Sequence, residues 1–188
     1  MKTYYQEEEP RQGRGKLVRL VGWGVDLVAV ITLAVFVVMM FGTKLTMSGR
    51  SMEPVLDNGD VVLLDKLWYN FSEPKRMDVV AFESLEGGSK TYIKRIVGLP
   101  GEQVQIKDGV LYINGQRTEL PETVGEIVLP GLAEGEICLL EDEYFVLGDN
   151  PDTSEDSRFT NVGNVHISQM KGKVWFRSAP FARLGFVK

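Results

Sequence analysis

Apolar and polar positions follow two different rules along this chain. Residues 17–42 are apolar apart from Arg19 and Asp26, whereas beyond Lys44 the apolar residues come in short alternating runs broken by Gly, Pro, Asn and Asp. The uninterrupted part of the first run, 27–41, is shorter than the ~20 residues that cross hydrocarbon as a helix. Extending it back to Leu20 supplies the length and puts Asp26 about two turns inside, at or near the interface rather than in the place of a functional intramembrane acid. Residues 20–42 are therefore expected to form a transmembrane anchor. A cleaved secretory signal fits less well, because the run outlasts an ordinary h-region and Thr43-Lys44-Leu45 is a poor small-residue cleavage site.

The alternating part predicts a mainly β domain with antiparallel strands at 60–66, 78–82, 91–97, 102–107, 110–114, 144–147 and 173–177. Asp108-Gly109 between two alternating runs reads as a hairpin turn, and Asn114-Gly115 repeats the signal. Residues 83–90, with Gly87-Gly88, read as a loop, and 121–135, rich in Gly, Pro and acids, as an irregular excursion from the sheet.

Charge adds direction. Lys2, Arg11, Arg14, Lys16 and Arg19 precede the anchor, and only Lys44 and Arg50 follow it closely, so residues 1–19 are expected in the cytoplasm and 43–188 outside the cell membrane. The 188 residues suit one domain plus that anchor. A formal net charge of −5 disfavours nucleic acid as a partner. Cys138 is the one cysteine, which excludes an intrachain disulfide; within Ile137-Cys138-Leu139-Leu140 it reads as a small buried hydrophobe.

Three blocks carry candidate chemistry. The first is Ser48-Gly49-Arg50-Ser51-Met52-Glu53-Pro54, the second Tyr92-Ile93-Lys94-Arg95 with its continuation to Glu102, and the third spans 147–158, Leu-Gly-Asp-Asn-Pro-Asp-Thr-Ser-Glu-Asp-Ser-Arg. A serine nucleophile needs a base, and the usual base is His. The one histidine, His166, lies in Val165-His166-Ile167 and reads as a turn or strand-edge residue. A lysine base is the remaining option. Free lysine is only about half a per cent neutral at pH 8, but burial lowers its pKa, and on an extended segment Lys94 shares a face with Tyr92 and Ile96. Asp149, Asp152, Glu155 and Asp156 lack the alternation and Gly hinge of a calcium loop, so no metal is expected.

In order and spacing these blocks, with Gly59-Asp60, resemble the bacterial type I signal peptidases. The resemblance covers nearly all of 43–188. It implies that Ser51 is the nucleophile and Lys94 the general base, that Ser154 hydrogen-bonds and orients the lysine, and that Arg95, Asp149, Asp156 and Arg158 shape the site, with Arg95 a candidate partner for Asp149. The oxyanion would be met by the backbone N–H of Ser51; because Gly49 stands where some relatives carry a serine hydroxyl, the second donor is backbone around Gly49 or, as the lesser alternative, Ser48. Val55 and Pro151 are further departures, and neither removes a catalytic group. A Lys at position 94 separates the chain from the endoplasmic reticulum type, which has His there.

The implied fold is a mainly antiparallel β core with a small inserted β subdomain, here reduced to about 103–142, and the size looks like the compact Gram-positive form. The implied activity is removal of signal peptides from exported preproteins through an acyl-enzyme, without a cofactor, beside a lipid bilayer. Ser51 is nine residues past Gly42, within roughly 30 Å of the membrane edge along the chain. Met47, Met52, Leu56, Trp68, Tyr69 and Phe71 are candidates for apolar substrate or lipid contact, or for core. The rival readings are a self-cleaving Ser-Lys peptidase of the SOS-repressor type and a catalytically inactive membrane-anchored β module.

Overall fold

The computed structural model describes residues 12–66, 69, 72–84 and 90–187, and the chain divides into two compact units at Gly42 and Thr43. The first unit is one helix, α1 (Gln12–Phe41), 30 residues long, or ~45 Å at 1.5 Å per residue. Its stretch Val18–Phe36 is long and apolar enough to cross a membrane. Val18, Leu20, Trp23, Leu27 and Phe36 are all exposed, an apolar coat rather than the single stripe of a helix lying on a core. Residues 1–11 of the expected cytoplasmic tail lie outside the described residues.

Among the described residues, the second unit holds twelve antiparallel strands: β1 (Thr43–Thr46), β2 (Val61–Asp65), β3 (Val79–Glu83), β4 (Thr91–Gly98), β5 (Gln103–Lys107), β6 (Val110–Ile113), β7 (Gln116–Arg117), β8 (Ile137–Cys138), β9 (Glu143–Leu147), β10 (Val165–His166), β11 (Met170–Ala179) and β12 (Gly185–Phe186). The larger sheet has the order β1-β2-β11-β3-β4-β9-β10, with β12 added to β11; the smaller has the order β7-β6-β5-β8. All seven strands read from the alternating pattern are present. The short strands β7, β8, β10 and β12, and β1 directly after the anchor, are additional.

The smaller sheet lies in sequence between β4 and β9, which are neighbours in the larger one. Its two tight turns are those marked by Asp108-Gly109 and Asn114-Gly115. The φ angles, 50° and 75° in the first and 51° and 74° in the second, are positive at both positions, the geometry that matches the twist of a two-residue hairpin. Val104, Ile106, Leu111 and Ile113 from this sheet pack with Val97, Phe145 and Leu147, so the hairpin shares a core with the strands that flank it in sequence. Within 121–135 there is only a 3₁₀ turn, Gly131–Glu134. Most of the 83–90 loop lies outside the described residues.

Cys138 corrects the sequence reading, because it is exposed. β8 is a two-residue strand at the edge of the small sheet, and its alternation turns Ile137 and Leu139 toward the core and Cys138 outward. Met47, Met52 and Leu56 are core, packed with Val79 and Ile93. Trp68 and Phe71 are outside the described residues.

Candidate active site

Ser51 sits in the turn that follows β1. Reciprocal bonds from Met47 N–H to Asp60 O and from Gly59 N–H to Met47 O close the loop, and the fully buried Met52 and Leu56 pin it to the core. Gly49 adopts φ +90°, a conformation open to glycine and strained for other residues. Lys94 comes from the middle of β4, opposite Val80 of β3, on a strand buried on both faces from Ile93 onward. Its Nζ donates to Ser51 Oγ at 2.6 Å, across 43 residues of sequence.

Lys94 is 2% exposed. That burial pushes its pKa from 10.5 down to about 8, against the pull of the Asp156, Glu155 and Asp149 carboxylates and with a small contribution from Lys90. Desolvation therefore outweighs three nearby acids, none of which touches the amine. At pH 8 about half of such lysines carry a free lone pair, compared with under one per cent for the free side chain.

Two expected contacts take a different form. Ser154 Oγ is buried and has no hydrogen-bond partner among the described residues, so it does not bond the lysine here. It is wedged against the backbone instead: a Cβ on Gly148 would lie 2.2 Å from Ser154 Oγ and 2.5 Å from Ser51 O. The lack of a side chain at Gly148 is what lets the end of β9 approach both serines, a role that the sequence alone did not single out. The Gly49 N–H is taken by Asn58 Oδ1 at 3.0 Å, so that amide is not available as the second oxyanion donor. The Ser51 N–H has no acceptor among the described residues.

Two buried ion pairs frame these groups. Arg95 donates from Nε and Nη2 to the two oxygens of Asp149, both at 2.6 Å, and from Nη1 to Met77 O at 2.9 Å. Arg158 grips Asp156 with Nε at 2.8 Å and Nη2 at 3.0 Å, and its fork also reaches Pro151 O and Leu129 O. Asp156 in turn accepts from the Gly148 N–H at 3.0 Å, and Asn150 N–H donates to Ser51 O at 3.0 Å. Planar two-point pairs of this kind are strong and directional; the first fastens the 148–158 segment to β4 and the second braces it internally, while the Asn150 N–H bond joins it to the serine turn.

Beside Ser51 and Lys94 lies a cavity of about 340 Å³, walled by Leu45, Thr46 and Met47 on one side, Tyr92 and Ile93 on another, and Thr153 and Glu155 at the end. Among the described residues, β1 pairs only with β2, and β4 is paired with β9 only from Arg95 onward. Both strands thus offer an open edge to this cavity.

The family model described as "Signal peptidase, peptidase S26" matches residues 20–179. The chain belongs to the S26 signal peptidase family. A signal peptidase I from Bacillus caldolyticus is 34% identical over 175 residues, covering 87% of this chain and 92% of that one. Signal peptidase IB of Staphylococcus aureus strain MRSA252 is 28% identical, covering 89% of this chain and 93% of its own. A crystal structure of a signal peptidase I from Enterococcus faecalis V583 is 31% identical over 55% of this chain and 97% of that one, with a TM-score of 0.44.

This signal peptidase is a serine endopeptidase, and its histidine has another task. His166 Nδ1 accepts from Ser168 N–H at 3.1 Å and contacts Ser168 Oγ at 2.7 Å, while Nε2 bonds Asp142. Nδ1 caps the 3₁₀ turn Ile167–Gln169 and Nε2 is taken by the Asp142 carboxylate, so both ring nitrogens are engaged. Among the described residues, no group of three or more His, Cys, Asp or Glu is placed to hold a metal.

Proposed function

We propose that this signal peptidase cuts preproteins with Ser51 as nucleophile and Lys94 as general base. The observation that carries this reading is the 2.6 Å contact between a hydroxyl and an amine pushed down to about 8. When the amine is neutral, the same contact runs in reverse: Ser51 O–H donates its proton to the lone pair as Oγ attacks the scissile carbonyl. Lys94, now an ammonium, returns that proton to the departing amine, which becomes the first residue of the mature chain. An ester joins Ser51 to the signal peptide until Lys94 deprotonates a water that hydrolyses it. The free N–H of Ser51 faces the developing oxyanion. Ser154 and Gly148 pack beside the Ser51 carbonyl, and the pairs Arg95–Asp149 and Arg158–Asp156 brace the segment that carries them.

The open edges of β1 and β4 suit an extended peptide, which would add main-chain hydrogen bonds to both strands with its small side chains in the cavity. Residues 20–42 act as the anchor, with the amino terminus cytoplasmic and residues 43–188 the outward-facing peptidase domain, of which about 103–142 form the reduced inserted subdomain. Contact with the bilayer is supported by exposed Phe181 and Phe186. Phe186 clusters with Trp175 and Phe176 at ring-centroid distances of 5.5–6.0 Å, an apolar patch of a kind that marks an interaction surface. Cleavage of a preprotein in detergent or lipid tests the dyad: Ser51→Ala and Lys94→Ala should each be folded and lose about 10²–10⁴-fold or more in rate, while His166→Ala retains activity. Turnover by a folded Lys94→Ala enzyme at a substantial fraction of wild type would end the assignment.

A further inference from the structure

The cavity beside Ser51 and Lys94 is lined by one carboxylate among the described residues, Glu155. Its position is set from below, since the next residue, Asp156, is locked to Arg158 and to the Gly148 N–H. From the other side of the cleft, Lys90 Nζ at 3.0 Å and Tyr92 Oη at 3.2 Å both donate to a single oxygen, Oε2. Lys90 is doubly satisfied, because its Nζ also lies over the Tyr92 ring at 4.5 Å. Glu155 is not: Oε1 has no donor among the described residues, and the side chain is 54% exposed. The arrangement is a carboxylate held by one oxygen and open at the other, on the wall of the cavity that also holds the attacking hydroxyl.

We infer that Glu155 is a specificity-determining residue that receives a lysine or arginine side chain of the preprotein, close to the cleaved bond, on its free Oε1. This rests on the reading of the cavity as the substrate cleft. Tyr92 and Lys90 both occupy Oε2; Tyr92 orients the carboxylate, whereas Lys90 offsets part of its charge and competes with a basic side chain of the substrate. Lys90 need not leave for a basic side chain to bind. An acidic side chain at the same place would meet Glu155 as a like charge.

The test uses the full-length protein in detergent and a preprotein with neutral residues on both sides of its cleavage site. Lys is then placed at one flanking position at a time, and Asp at the same positions. For at least one position, kcat/KM for the Lys substrate should exceed that for the Asp substrate by about three- to tenfold, the range for one exposed ion pair gained and one repulsion removed. The ratio should fall toward one in Glu155→Gln and at high salt. Lys90→Met should keep or enlarge it. Lys:Asp ratios that stay the same in Glu155→Gln at every position, or a preference that collapses in Lys90→Met while Glu155 is intact, would overturn the assignment. Cleavage of the neutral parent is read separately: if it is cut and no charge preference exists, this inference fails while the dyad stands.

Discussion

Lys94 and Arg95 are neighbours on β4, point to opposite faces, and are almost equally cut off from water, at 2% and 1% exposure. The fold treats them in opposite ways. Arg95 receives a full two-point carboxylate partner in Asp149. Lys94 is given a hydroxyl, with the nearest acids kept out of contact. A guanidinium cannot shed its proton in a protein, so burying it requires an anion. An amine can, and withholding the anion makes shedding the proton the cheaper response to burial. Two adjacent basic residues thus become a structural cation and a candidate base because of what their partners are.

The largest expected effect comes from breaking the structural member. Asp149→Ala removes the carboxylate that offsets the buried Arg95 charge and should cost about 3–5 kcal/mol in unfolding free energy, measured by denaturant titration. Replacing both partners, Arg95→Met with Asp149→Leu, should recover most of that loss, because the penalty belongs to the stranded charge rather than to the missing attraction. A double variant as unstable as Asp149→Ala would mean that the pair is held for its geometry.

The second effect has the opposite sign. The folded pKa of Lys94, about 8, lies below its ordinary 10.5, so between those values the unfolded chain binds the extra proton and unfolding free energy rises with pH. Below pH 8 the folded state carries the full penalty, about 3 kcal/mol for a shift of this size. Lys94→Met should therefore be more stable than wild type by about that amount near pH 7, with the advantage shrinking to nothing by about pH 10.5. Equal stability of the two proteins at pH 7 would show that the amine is not desolvated.

Gly148→Ala should have the smallest of these effects on stability, about 1–3 kcal/mol for an overpacked site, yet it displaces the Ser51 carbonyl and Ser154 together. The expected signature is a fall in kcat larger than the change in KM, read from steady-state cleavage.

Much of the larger sheet was legible in the sequence because its strands are long enough for alternation to repeat and are bounded by Gly, Pro, Asn or Asp. β7, β8, β10 and β12 are two residues each, too short for a period of two to show itself. β1 was hidden because Thr43-Lys44-Leu45-Thr46 follows the apolar run without a break. Cys138 was misread for a related reason: in a stretch where three of four side chains are apolar, only the alternation at the sheet edge decides that Cys138 and Leu140 face water.

The site was legible through ordered motifs more than through pattern. Nothing local says that Ser51 and Lys94 meet, and a lysine in a strand is ordinarily solvated; its burial depends on packing from both faces of β4. The engagement of the Gly49 amide by Asn58 Oδ1 and the close approach of Gly148 to Ser154 were not legible, because each depends on residues that only the fold brings together. Glu155 was visible only as one acid among several, and the oxygen it leaves open becomes evident once Lys90 and Tyr92 are seen to converge on the other.

The measurement that bears most directly on the contrast between Lys94 and Arg95 is a titration of the Lys94 side chain, isotopically labelled and observed by NMR in the full-length enzyme in detergent, with Ser51→Ala as a second sample. The account predicts a transition near pH 8, matched by the alkaline-rising limb of kcat/KM for preprotein cleavage. An amine that stays charged to pH 10 or above while the enzyme turns over at neutral pH would contradict it.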